Sequence, residues 1–314
     1  MLFEHDSAYD PAHDHDTLRR ANGAGTSVAR SRRAFIQALG LGAVGAAILS
    51  TNTTSAVAQS AALTDLDIAN FALNFEYLGA EFYLRASVGQ GLSNAEITGT
   101  GILGPVAGGR QIAFDTQLIR NFANELARDE RGHVQSLRAT ITDVLGGTPI
   151  ARPAIDLAFA FTLAARSAGL VGPNDTFDPF ANENNFLQAA FIFEDTCVTA
   201  LAGAAPLISN KTFLQNASGF LATESYQAGA IRTFLYSRNL LQPAGLISAA
   251  RDALDGPQVD DQGIGDNDTI NITPTDVDGL VFARTPQQVL RIAYLNPNGT
   301  PTGFFPEGVN GMIR

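Results

Sequence analysis

Four long stretches of apolar periodicity dominate this sequence, and each carries a glutamate in the middle of its apolar stripe. Apolar residues recur three, four and seven positions apart over residues 65–88, 114–145, 185–205 and 211–238, which predicts four long amphipathic helices. Thr64 with Asp67 three residues on predicts a capping box at the first start. Gly146-Gly147 ends the second segment, Pro206 the third, and Pro243 lies beyond the fourth.

The connections fix how such helices can run. Segments three and four are separated by about five residues and must lie antiparallel. A Gly-rich stretch over residues 98–110 permits the same for segments one and two. Nearly forty residues, with Pro149, Pro153, Pro173 and Pro179, separate segments two and three. That is long for a loop inside a domain, and it predicts a crossover along the bundle. The expected fold is therefore all-α, two helical hairpins joined by one long crossover.

The four glutamates carry the chemistry. Glu76 shares its face with Leu73, Gly79, Ala80 and Tyr83, and Glu130 with Leu126, Ala127, His133 and Val134. Glu194 lies among Ala190, Phe191, Cys197 and Val198, and Glu224 among Phe220, Leu221, Gln227 and Ala228. A lone ionised carboxylate in a core is very costly unless it is paired or holds a metal. One per helix predicts a shared cation site. Glu81, with Arg85 four residues on, and Glu125, on a polar face, read as solvated acids. Glu130 and His133 sit at i, i+3, and carboxylate plus imidazole suits iron, manganese or zinc. The matching turn of the fourth segment has Gln227 where a second histidine would complete a symmetric pair with Glu224. His133 also reads as a satisfied core histidine, Cys197 as a small buried apolar residue, and Asp195 as either a support for a ligand or a surface acid. Tyr77, Tyr83 and Tyr226 read as packing residues.

This arrangement resembles the ferritin-like superfamily, and within it the desiccation-related proteins. Glu76-Tyr77-Leu78, Glu130-Arg131-Gly132-His133, Glu194-Asp195-Thr196 and Glu224-Ser225-Tyr226-Gln227-Ala228-Gly229 carry the resemblance in the bundle. Asn271-Ile272-Thr273-Pro274-Thr275-Asp276, Arg284-Thr285-Pro286 and Gly303-Phe304-Phe305-Pro306 carry it beyond. The resemblance implies iron or manganese bound by Glu76, Glu130, His133, Glu194, Glu224 and Gln227. It implies a role in desiccation or oxidative stress, with oxygen or peroxide as reactant. Gln227 leaves one half of the site with oxygen ligands only and keeps a second reading open, a non-enzymatic protective bundle with a relic site.

Residues Ser31-Arg32-Arg33-Ala34-Phe35-Ile36, an apolar run to Leu49 and Ala56-Val57-Ala58 have the order of a twin-arginine export signal. The apolar run falls short of the roughly 20 residues a membrane span needs. Residues 1–58 are expected to be removed, with a bundle over 64–242 and an extension over 243–314. His5, His13 and His15 lie in the polar leader, so His133 would be the one histidine left. The product would be periplasmic or extracellular, without a stable membrane span and free to self-associate. The net charge of −11 repels nucleic acid and anionic lipid. The single Cys197 excludes an internal disulfide. No nucleophile–base pair, P-loop or dinucleotide fingerprint is present. Between Asp252 and Asp278 lie eight acids and no base. Asp260, Asp261, Asp266 and Asp268 lack the regular calcium-loop spacing and read as a solvated loop. A short helix over 246–254 and another at Thr285–Tyr294, with Pro286 at its first position, complete the expectation.

Overall fold

The computed structural model describes residues 63–314 apart from Val259. The leader, with its twin-arginine stretch, lies outside the described residues.

Helix α1 (Asp65–Val88) begins at the expected box: Thr64 Oγ1 accepts from the Asp67 amide, and Asp67 accepts from the Thr64 amide. It ends at Gly89, whose φ of 78° closes the last turn by donating to the Arg85 carbonyl. After the single turn α2 (Asn94–Ile97) comes strand β1 (Val106–Ala107), then α3 (Gln117–Ala139) with a π-turn over Thr140–Val144. The crossover holds strand β2 (Ile155–Asp156), paired in parallel with β1, and helix α4 (Ala160–Ser167). Helices α5 (Glu183–Ala204) and α6 (Lys211–Ser237) follow, capped by Asn182 and Asn210. Two further helices, α7 (Leu241–Asp255) and α8 (Pro286–Ala293), lie in the C-terminal segment.

Helix α1 packs along α3, α5 packs along α6, and the pairs meet where α1 faces α5. The all-α expectation with one long crossover holds. Asp65 fastens one end by accepting from the Ser209 and Asn210 amides in the turn between α5 and α6. The core between the pairs is aromatic. Phe82 of α1 lies 5.3–5.6 Å from the rings of Phe161, Phe180, Phe186 and Phe193, so the crossover plugs directly into the bundle. Phe304 stacks edge-on against Phe161 and Phe193 at 4.9 and 5.0 Å, which draws the tail into the same cluster. Asn74 and Asn310 exchange hydrogen bonds, side chain to main chain, at 3.0 and 2.9 Å.

Two helix starts and one helix differ notably from the sequence expectation. Helix α3 starts at Gln117 rather than residue 114, because Phe114 is spent as a core anchor before the helix. Helix α7 starts at Leu241 rather than 246, because Pro243 falls in the first turn, where a missing amide costs nothing. Helix α4 carried too short a periodic pattern to be read inside the crossover.

Candidate metal centre

Ten acids among the described residues are buried. Six of them touch an arginine. Glu81 meets Arg85 and Arg152, Glu96 meets Arg131, and Glu183 meets Arg238. Asp195 meets Arg232 and Arg251, while Asp255 and Asp260 meet Arg284. The four without a basic partner of that kind are Glu76, Glu130, Glu194 and Glu224. Those are the four that the helical periodicity singles out, and the one imidazole among the described residues sits beside them.

His133 Nδ1 lies 3.4 Å from Glu76 Oε2, 3.5 Å from Glu130 Oε1 and 3.2 Å from Glu224 Oε1. It has no hydrogen-bond partner of good geometry, and neither do Glu76 Oε2, Glu130 Oε1 or Glu224 Oε2. One donor atom from each of Glu76, Glu130, His133 and Glu224 falls within 4.8 Å of the others. Donors about 2.0–2.2 Å from a common ion would span that range. Three carboxylates, an imidazole, no guanidinium and several orphaned oxygens fit a transition-metal cation. Glu194 borders this group. Its Oε1 accepts from the Tyr83 hydroxyl, while Oε2 has no partner. Gln227 is buried one turn from Glu224, and neither amide atom is hydrogen-bonded. Of the six expected residues, the structure brings Glu76, Glu130, His133 and Glu224 together, with Glu194 beside Glu224 and Gln227 buried one turn along α6.

Local sequence explains the placement. Gly79 leaves a gap on α1 that the Glu130 carboxylate fills; a Cβ at residue 79 would overlap Oε2. The Phe220 ring packs on His133 at 4.9 Å and fixes the imidazole from α6. Tyr83, one helical stripe on from Glu76, positions Glu194 across the bundle. Two apolar cavities of ≈ 50 and ≈ 20 Å³ converge here. The larger reaches Glu76 and Cys197, and the smaller reaches Glu130, Glu194 and Cys197.

Electrostatics follow from this burial. Desolvation, reinforced by the Glu194 and Glu76 charges, pushes Glu130 up to about 8 against the pull of His133. Desolvation and the Glu130 charge push Glu224 up to about 7. Glu194 rises well above the carboxylate range, first through burial and then through Glu224. Burial alone would lower His133, but the Glu130, Glu224 and Glu76 carboxylates outweigh it and raise the ring above the usual histidine range. The Cys197 thiol is pushed up by burial and then by the same glutamates, so it stays a thiol.

Several acids lie elsewhere than the sequence suggested. Glu81 is fully buried, because Arg152, far along the chain, neutralises it together with Arg85. Asp195 is a buried ion-pair residue turned away from the centre. Asp260 and Asp261 are not solvated but paired with arginines, whereas Asp266 and Asp268 are exposed as expected, and Asp266 accepts from the Asp268 and Thr269 amides. Tyr226 is 81 % exposed and so is not a core packing residue, whereas Tyr77 is buried and donates to the Ile150 carbonyl.

The family model described as a ferritin-like domain matches residues 64–237, the span of the four long helices. The chain belongs to the ferritin-like family. Two curated relatives match over most of this family member's length. The sequence is 30 % identical to "Ferritin-like catalase Nec2" of Nesocodon mauritianus, over 79 % of this chain and 84 % of that one. It is also 30 % identical to "Desiccation-related protein PCC13-62" of Craterostigma plantagineum, over 79 % and 83 %. No solved structure gives a significant match.

Proposed function

We propose that this chain is an exported metalloprotein that holds iron or manganese through Glu76, Glu130, His133 and Glu224 and turns over peroxide or oxygen under desiccation or oxidative stress. The observation that carries the reading is that, of the four buried acids without an arginine partner, three, Glu76, Glu130 and Glu224, surround His133. The names of the two relatives agree with both halves of it, a catalase and a desiccation-related protein. Iron or manganese bound there supplies reversible one-electron redox chemistry toward oxygen species.

The chain's own residues supply the rest. The apolar cavities beside Cys197 admit small uncharged molecules and exclude ionic ones. Tyr83 holds Glu194 by its hydroxyl, so that carboxyl stays at the edge of the centre. In the metal-free chain Glu130 and Glu224 are pushed up to about 8 and about 7, so a cation held there would displace protons from their carboxylate oxygens. Gln227 offers only neutral amide atoms, so the two halves of the centre are unequal, which favours a mononuclear or asymmetric site. Export by the twin-arginine route, with residues 1–58 removed, would deliver a folded and already metallated bundle to the periplasm or beyond.

One observation favours a second reading. Glu194 is already satisfied in part by Tyr83, and protonated carboxyls around His133 would make a self-contained core. The chain would then be a protective bundle without turnover. Elemental analysis of the purified protein beside Glu130→Ala separates the two. About one or two equivalents of iron or manganese, lost in the variant, with peroxide or oxygen consumption by the parent, is the expected result. No metal in either protein, with the variant equally stable, would leave the protective bundle.

A further inference from the structure

A second cluster of acids lies away from the bundle centre, where the C-terminal segment closes on α5 and α7. Asp195, Asp252, Asp255, Asp260 and Asp261 gather there with Arg232, Arg251 and Arg284. Five carboxylates against three guanidiniums leave a surplus of two negative charges. Arg291 reaches the same turn but donates to the main-chain carbonyl of Asp255, not to its carboxylate.

The surplus sits at one corner. Asp252 and Asp255 are three residues apart in the last turn of α7 and share a face. That turn contains no basic residue, although a helix C-terminus repels acids and attracts cations. Asp260 closes the corner, and one donor atom from each of the three lies within 4.8 Å of the others. Asp255 is 2 % exposed; its Oδ2 accepts from Arg284 Nε at 2.6 Å, while its Oδ1 has no partner among the described residues. Asp252 Oδ1 is equally buried and unpartnered. Asp260 Oδ2 accepts from Gln288 Nε2 at 3.0 Å, and its Oδ1 has only a long 3.4 Å contact to Arg284 Nη2. A buried carboxylate oxygen without a donor is costly, and two facing one corner point to a missing cation.

We infer that Asp252, Asp255 and Asp260 form a calcium site that fastens the C-terminal segment to the end of α7. The donors are all oxygen, which selects a hard cation. The corner supplies carboxylate oxygens from three aspartates, one donor atom of each within 4.8 Å of the others. Calcium accepts six to eight oxygens in flexible geometry, whereas magnesium demands a near-octahedral set. One divalent ion cancels the surplus charge. The consequence is mechanical: Arg284 bonds Asp255 and Thr199, so the ion would clamp α5, α7 and the approach to α8 together.

The test uses the full chain stripped with chelator, with calcium chloride added in calorimetric titration and thermal unfolding at pH 7.5. The parent is compared with Asp252→Asn, which alters a half-buried residue outside the arginine pairs, and with Glu130→Gln in the bundle. The expected result is one calcium equivalent and a rise in Tm of roughly 2–4 °C or more at saturation. Both should persist in Glu130→Gln and vanish in Asp252→Asn. A parent that gives neither binding heat nor a Tm shift overturns the inference, since a proton shared by Asp255 and Asp260 would then balance the corner. A calcium response that survives Asp252→Asn overturns it as well. Neither outcome bears on iron or manganese in the bundle, which elemental analysis reads separately.

Discussion

Gly79 and Glu130 are complementary: the carboxylate of one helix occupies the space that a side chain on the other would need. The contact is with the far end of a flexible side chain. Gly79→Ala should therefore displace Glu130 without unfolding the bundle, and the better helix propensity of alanine, about 1 kcal/mol, offsets part of the strain. The expected outcome is a Tm within a few degrees of the parent and loss of most bound iron or manganese. Metal content and circular dichroism on the same sample check it. Parental metal content would show that Glu130 is not held where the centre needs it.

Asp195 follows Glu194 directly on α5 yet serves a different purpose. It bonds Arg232 Nη1 at 2.6 Å and Arg251 Nη2 at 2.8 Å, and both guanidiniums are almost wholly buried and lie over the Phe191 ring. Asp195→Asn would strand two buried cations with one fewer anion. Removing one partner of such a pair typically costs about 3–5 kcal/mol. The control is Glu125→Gln, which loosens an exposed 3.7 Å contact to Arg128 and should cost less than about 0.5 kcal/mol. Urea unfolding of the two variants should separate them clearly. Similar midpoints would mean that the network contributes little to holding the C-terminal segment.

Helix existence and the identity of the central glutamates were legible because both are local signals. The capping box at Thr64 and the αL glycine at Gly89 bracket α1 within a few residues of sequence, and the 3.6-residue period marks Glu76 and Glu130 without any knowledge of partners. The fate of the other acids was not legible for the converse reason. Glu81 shows only Arg85 at helical spacing, while Arg152, which completes its neutralisation, is 71 residues away. Asp260 and Asp261 look like loop acids until Arg251 and Arg284 are brought beside them by the packing of α7 against α8. Gly203 hides a similar long-range fact: it is glycine because the Arg284 carbonyl approaches α5 there too closely for a side chain. Periodicity finds which acids are buried on a stripe, but only the tertiary fold tells which of them lack a base, and that second property separates the candidate metal centre from the ion-pair network.

The bundle glutamates should also give the metal-free protein an unusual dependence on pH. Glu130 is pushed up to about 8 and Glu224 to about 7 when folded, from an ordinary value of 4.5. An acid with a raised folded pKa binds more protons in the native state than in the unfolded state between those values, so stability falls as pH rises from about 4.5 toward 8. His133 acts in the same direction, since a raised histidine stabilises the fold below its ordinary value of 6.5 and loses that contribution as pH climbs through its folded value. Each proton difference changes stability by about 1.4 kcal/mol per pH unit. Glu96, lowered to about 2 as bonds from Arg131, Ser93 and Gln135 outweigh its burial, contributes oppositely, with stability lost only as pH falls below about 4.5. The chelated protein should therefore melt highest near pH 5 and lower at pH 8. The loaded protein should invert that order, because a cation must displace those same protons and binds more tightly as pH rises. Thermal melts of both forms from pH 5 to 8 check the prediction. The two curves should lie close together near pH 5 and diverge as pH rises, and parallel curves would mean that the cation does not compete with the protons on Glu130 and Glu224.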